Sequence, residues 1–271
     1  MKEVVFTAVR YMVDSLQLHG VRTFTRSEAQ AKVPVSKISV NRALQALEQK
    51  GTVIRPRQDF FVIVPPEYRG YGGPSPTWYI DQFMRHLGQP YYVGILSAAE
   101  LHGSAHQRPQ VFQVVTDKPL RRIDIPREAP RTRIIFYQKT SIERSPIVQL
   151  KAPTGYFNVS SPETTAYDLI NYYKAAGGLN RAAEVLSGLA ERLDSGRLKA
   201  LLEAGCKTAP IQRLGYILDL LGYASLTEQL HYKLIPLEPV PVPLAPYGSR
   251  KGSPRNDKWN VQVNAQLEVE Q

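Results

Sequence analysis

Thr25-Arg26-Ser27-Glu28-Ala29-Gln30-Ala31-Lys32-Val33-Pro34-Val35-Ser36-Lys37 opens two helices within a few residues of each other. A threonine followed three residues later by a glutamate has capping-box spacing, in which each side chain meets the other's backbone N–H. Pro34 must stop that short helix. Ser36 then caps a longer one, Lys37 to Lys50, which Gly51 closes. Upstream, Glu3 to Leu18 is helical in pattern, with Val5, Ala8, Met12 and Leu16 on one stripe. Downstream, Thr52-Val53-Ile54 and Phe60-Phe61-Val62-Ile63-Val64 read as strands joined by Arg55-Pro56-Arg57-Gln58-Asp59. Three helices followed by a basic hairpin predict a winged helix-turn-helix over residues 1–70. In that arrangement the third helix enters the DNA major groove.

The third helix supports the same reading. Val40, Ala43, Leu44 and Leu47 make its buried stripe, which leaves Lys37, Asn41, Arg42 and Gln45 on other faces. Asn and Arg can pair bidentately with adenine and guanine edges. Ser36 and Ser39 sit at the amino-terminal end, where Ser36 and the exposed N–H groups suit a phosphate, while Ser39, Asn41 and Arg42 are expected to read bases. The candidate DNA contacts here are therefore Ser36, Lys37, Ser39, Asn41 and Arg42, joined by Arg55 and Arg57 at or beside the tip of the wing.

Bulk composition narrows the rest. Apolar residues make up 43% and charged residues 21% of the 271 positions, which is the balance of a soluble globular chain. No run of about 18 apolar residues predicts a membrane span. The opening Met1-Lys2-Glu3-Val4-Val5-Phe6 lacks a signal-peptide core, so a cytoplasmic protein is expected. Cys206 is the sole cysteine and excludes an intramolecular disulfide. The net charge of +10 is concentrated: residues 1–70 hold 11 Lys and Arg against 6 Asp and Glu, and residues 105–151 hold 10 against 4. Two basic zones suggest two surfaces for an anionic partner, most simply nucleic acid.

Pro65-Pro66 and Gly70-Tyr71-Gly72-Gly73-Pro74-Ser75-Pro76 mark a boundary, so a second domain is expected over 78–271. It opens with a helical Trp78–Met84. Strand-like runs follow at Tyr91–Gly94, Val111–Thr116, Ile134–Tyr137 and Tyr156–Val159, with a short helix from Ser97 to His102 between the first two. These predict a mixed sheet with basic edges. From Ser161-Pro162-Glu163, an N-cap with proline at the first helical position, the texture turns helical. Helices are predicted at 180–193, 196–204 and 210–221. Leu234 to Pro246 is proline-rich and extended, and Trp259–Asn264 is an alternating strand expected to return to the sheet.

Catalytic signatures are sparse. His102 and His106 have a metal-like spacing, but Gly103 between them argues against one helix carrying both. There is no phosphate-binding glycine loop and no Gly-x-Ser-x-Gly. A Mg²⁺-dependent nuclease would need clustered carboxylates, usually with a nearby lysine; the candidates are Glu100, Asp117 and Asp124 with Lys139, and no second acid accompanies Asp124 on its strand-like run. Neither an enzyme, a metal nor a cofactor is expected.

Tyr91-Tyr92-Val93-Gly94-Ile95-Leu96-Ser97-Ala98-Ala99-Glu100-Leu101-His102-Gly103 leads to Gln107-Arg108-Pro109-Gln110-Val111-Phe112-Gln113-Val114-Val115-Thr116. This stretch, Ser161-Pro162-Glu163-Thr164-Thr165-Ala166-Tyr167-Asp168-Leu169, and the ending around Trp259-Asn260-Val261-Gln262-Val263-Asn264 resemble the AbiEi antitoxins of bacterial type IV toxin–antitoxin systems. The resemblance implies an α+β chain: a winged helix-turn-helix, then a mixed α/β antitoxin domain with a helical C-terminal half. It implies a protein that represses its own operon on double-stranded operator DNA and opposes a nucleotidyltransferase-like toxin without necessarily binding it. A basic second-domain surface would also meet DNA, and Arg108, Arg121, Arg122, Arg131 and Arg133 agree with that. The other reading is a stand-alone winged-helix regulator whose second domain takes a ligand or partner.

Overall fold

Cap chemistry sets the first elements. A computed structural model describes residues 2–104, 109–125 and 132–268. Helix α1 (Lys2–Leu18) is followed by β1 (Thr23–Thr25), α2 (Arg26–Lys32), α3 (Lys37–Gln49), β2 (Val53–Arg57) and β3 (Phe60–Ile63). Thr25 and Glu28 form the complete capping box at the start of α2: the Glu28 N–H donates to Thr25 Oγ1 at 3.2 Å, and the Thr25 N–H donates to Glu28 Oε2 at 2.6 Å. Ser36 caps α3 by accepting the Ser39 N–H at 3.3 Å. Gly51 takes a positive φ of 66° where the chain leaves that helix.

The hairpin differs from its expected form. Arg55, Pro56 and Arg57 belong to strand β2, with a register irregularity between Ile54 and Arg57, so the turn is only Gln58-Asp59. Strand β1, too short for its periodicity to show in the sequence, pairs antiparallel with β3, giving the order β1-β3-β2. Both faces of the hairpin are buried. Val53, Phe61 and Ile63 join α1–α3 in one core, where Phe61 stacks on Phe24 at 5.3 Å. Ile54, Phe60, Val62 and Val64 face the other way into a second core with Tyr79, Ile80, Phe83 and Met84. A period of two, with apolar residues at both phases, is how a strand between two cores reads.

The following proline- and glycine-rich segment folds back on this hairpin through two 3-10 turns, Pro66–Tyr71 and Pro76–Trp78. Tyr68 meets Trp78 edge-on at 5.1 Å, whereas Tyr71 is exposed. Gly73 lies so close to Ile54 that a Cβ would crowd its side chain.

Helix α4 (Ile80–His86) leads to β4 (Tyr91–Val93), α5 (Ile95–Leu101), β5 (Phe112–Thr116), β6 (Ile123–Ile125), β7 (Thr132–Gln138), β8 (Ile147–Ala152) and β9 (Gly155–Ser160). The six strands form a mixed sheet in the order β6-β7-β5-β4-β9-β8. Strand β8, with Val148, Leu150 and Ala152 packed on the core and Gln149 and Lys151 exposed, makes one edge. Strand β6 makes the other, with Ile123 and Ile125 inward and Asp124 between them.

Helices α6 (Pro162–Asn171), α7 (Leu179–Ala190), α8 (Ser195–Glu203), α9 (Thr208–Leu220) and α10 (Ala224–Leu234) build the helical half. Helix α6 is buried from Glu163 through Ile170, so it runs through the core rather than over it. The chain ends in a small sheet of β10 (Val242–Pro243), β11 (Arg255–Asn256) and β12 (Val261–Gln262). The terminal strand therefore does not return to the main sheet, as the alternation at 259–264 had suggested. Trp259 is fully buried and donates its indole N–H to Asp219 at 2.7 Å, and Gly215 on α9 leaves room for its ring, which anchors the terminus on α9 instead. No helix among the described residues is long and apolar enough to cross a membrane.

Candidate nucleic-acid interface

Because Val40, Ala43, Leu44 and Leu47 seat α3 in the N-terminal core, the opposite side of the helix is set facing outward. Ser36, Lys37, Arg42 and Gln45 are exposed, as is Ile38 at 65%. Ser39 is half-buried and accepts from the Ser36 hydroxyl at 2.9 Å. Asn41 is turned toward α2, where its Oδ1 accepts from Arg26 Nη1 at 2.9 Å and Gln30 Nε2 at 3.3 Å. Bidentate pairing with adenine uses that same oxygen to accept from the base's amino group. Arg42 alone among the base-reading candidates has an exposed polar head on the outward face.

Arg26 was not legible as a site residue, yet it organises this surface. Its guanidinium pairs with Asp59 at 2.9 Å, donates to the Gln58 carbonyl at 2.7 Å and lies over the Phe61 ring at 5.8 Å from the centroid. It thereby ties α2, α3 and the hairpin turn together. Between α3 and the hairpin lies an open cleft of about 360 Å³, lined by Arg26, Ile38, Asn41, Arg42, Gln45 and Arg55 among others.

The two hairpin arginines are used by the protein. Arg55 pairs with Glu48 of α3 at 3.1 Å, with both side chains about 30% exposed (29% and 30%). Arg57 donates through Nη2 to the Arg121 carbonyl at 3.0 Å, across the seam to the second basic zone. Zones far apart in sequence thus meet where β2 lies beside β6.

Along the β6 edge, Arg121 and Arg122 are exposed. Arg133 Nε donates to Asp124 Oδ1 at 2.7 Å and Arg122 Nε to Asp124 Oδ2 at 3.0 Å. The hydrogen bond from Arg133, helped by the charge of Arg122, holds the Asp124 carboxyl below its usual range. A carboxylate clamped by two guanidiniums is not a metal ligand in waiting. Among the described residues no group of three or more His, Cys, Asp and Glu is placed to hold a metal ion. Arg108, Arg131 and His106 lie outside the described residues.

Lys139, weighed as a nuclease lysine, has an unforeseen partner. Its ammonium lies 3.4 Å from Asp168 Oδ1 and 3.1 Å from the Tyr92 hydroxyl, which donates to Asp168 Oδ2 at 2.8 Å. Asp168 is fully buried on α6; burial pushes its carboxyl up, and the Lys139 charge opposes that shift. The Tyr92 phenol is raised by burial and by the neighbouring carboxylate. This cluster pins α6 to β4 and to the end of β7. Its partners stand 29 to 76 residues apart, so spacing carried no sign of it.

The family described as the AbiEi antitoxin C-terminal domain matches residues 92–220, which bears out the resemblance seen in the Tyr91–Thr116 and Ser161–Leu169 stretches. No curated protein matches the chain. In three dimensions the chain is similar to the crystal structure of the RV2827C protein from Mycobacterium tuberculosis. The two share 17% identity with a TM-score of 0.66, over 94% of this chain and 90% of that one. At such identity the likeness speaks to fold, and it extends over the N-terminal unit as well as the family domain.

Proposed function

We propose, from the premise that residues 92–220 are an AbiEi antitoxin C-terminal domain, that this chain is the antitoxin of a type IV toxin–antitoxin system. In this reading residues 1–70 are a winged helix-turn-helix that represses the chain's own operon, and residues 78–271 relieve the toxicity of a nucleotidyltransferase-like enzyme in the cytoplasm. The observation that carries it is the fusion of the family domain to an N-terminal unit whose α3, capped by Ser36, exposes Lys37 and Arg42. A helix amino terminus with free N–H groups and an arginine about one and a half turns along suits a phosphate and a guanine edge.

Phosphate contacts set affinity and base contacts set sequence preference. Arg42 takes the second role. Ser36, Lys37 and Ser39 take the first, extended by Arg121, Arg122 and Arg133 along the β6 edge. Arg55 and Arg57 reach DNA only by giving up Glu48 and the Arg121 carbonyl, so the part of Arg55 is to hold the hairpin on α3 and that of Arg57 to hold the two basic zones in register. Asn41 serves α3 as an acceptor for Arg26 rather than as a base reader.

The test is co-expression. The gene next to this one is induced alone, then with the full chain, then with the full chain carrying Arg42→Ala. The reading expects growth arrest by the neighbour, rescue by both forms, and loss of promoter repression by the variant only. A harmless neighbour would leave a DNA-binding regulator without a toxin. An unrepressed promoter in the presence of the wild-type chain would remove the operator role.

A further inference from the structure

Helix α1 is apolar on two sides. Val9, Met12 and Val13 face the N-terminal core, while Val4, Tyr11 and Leu18 point away from it, 72%, 76% and 87% exposed. Residues seven apart lie nearly above one another on a helix, so these three form a line about 21 Å long. Exposed Thr7 and Asp14 stand between them. Beside Tyr11 runs a recess of about 320 Å³ whose walls include Ala8, Met12, Leu16, Val33 and Pro34. At its flank, Arg10 and Asp14 form an ion pair at 3.6 Å with both side chains more than half exposed.

We propose that this face joins two copies of the chain, with their α1 helices antiparallel about a two-fold axis close to Tyr11. The order of residues is self-complementary under that operation. Val4 of one copy meets Leu18 of the other at each end, and Tyr11 meets Tyr11 at the centre beside the recess. Thr7 faces Ser15. The same axis brings Arg10 of each copy within reach of Asp14 of the other, so two intrahelical pairs become a four-charge cluster. Parallel pairing would instead set Asp14 against Asp14 and Arg10 against Arg10. A two-fold interface demands that one patch complement itself, and the sequence of α1 does so in apolar size and in charge. A DNA surface is disfavoured here by Asp14 and by the apolar line. Resting on the DNA reading above, the dimer would offer two α3 helices to paired half-sites.

Sedimentation equilibrium of the full chain tests this directly. Wild type should show a monomer–dimer equilibrium in the micromolar range, as befits a small interface. Tyr11→Glu should abolish the dimer. Asp14→Arg should weaken it about tenfold, because the two-fold axis counts every charge contact twice. Arg10→Asp together with Asp14→Arg should restore it, since the reversed pair is again complementary. All three positions are exposed, and an unchanged thermal melt of the dilute monomer confirms that the variants fold. A chain that stays monomeric at every concentration overturns the proposal, as does a dimer indifferent to both Tyr11→Glu and Asp14→Arg. Failure of a dimerising wild-type chain to bind promoter DNA would count against the proposed function and leave this interface standing.

Discussion

Helix α3 and the β2–β3 hairpin carry the same kind of residue to opposite ends. Both present arginines on the N-terminal unit, and both read in sequence as DNA contacts. On α3 the buried stripe uses only aliphatic side chains, so Lys37, Arg42 and Gln45 stay exposed. On the hairpin, both faces of β3 are buried, and Arg55 and Arg57 are drawn into contacts with Glu48 and Arg121. The lesson is that a basic side chain is available to a partner only insofar as its own fold leaves it unused.

The largest expected effect separates these roles by stability. Phe60 is 3% exposed and meets Phe83 at 5.2 Å in the second core, so Phe60→Ala should cost about 3–5 kcal/mol in chemical denaturation. A hairpin projecting freely as a wing would lose little, and a cost no larger than that of a surface substitution would break the comparison. Next, Arg42→Ala should cost about 1–3 kcal/mol of promoter affinity while leaving the denaturation midpoint in place. Equal losses on promoter and random duplexes would move Arg42 from base reading to phosphate contact.

Changing Arg121 and Arg122 together should lower affinity on all sequences and flatten the salt dependence by up to about two in log–log slope. An unchanged slope would confine DNA binding to the N-terminal unit. The smallest effect belongs to Arg55→Ala. Its partly exposed pair with Glu48 is worth about 1 kcal/mol or less in stability, and promoter affinity should barely move.

What could be read from the sequence was what is local. The capping box at Thr25–Glu28, the Ser36 cap and the Gly51 exit each depend on residues within one turn, and each stands in the structure as its spacing indicates. Short strands escaped for the converse reason. Three residues at β1 show no period, whereas β8 alternates Val148, Leu150 and Ala152 with exposed Gln149 and Lys151 and so did carry a readable signal. The hairpin was recognised as a hairpin, but its second buried face depends on Tyr79–Met84 far along the chain. The Lys139–Asp168–Tyr92 cluster, assembled from three elements of the main fold, is the extreme case. Arg42 was legible because exposure on a helix follows from periodicity. The occupied state of Asn41 was not, because Arg26 reaches it from another helix.

One titration series decides most: wild type, Arg42→Ala and Arg55→Ala, each measured on the promoter duplex and on a scrambled duplex at one salt concentration. The account expects Arg42→Ala to lose most of the preference for promoter over scrambled DNA, and Arg55→Ala to follow wild type on both. Preference lost with Arg55→Ala and kept with Arg42→Ala would contradict it, placing recognition on the hairpin and architecture on the helix.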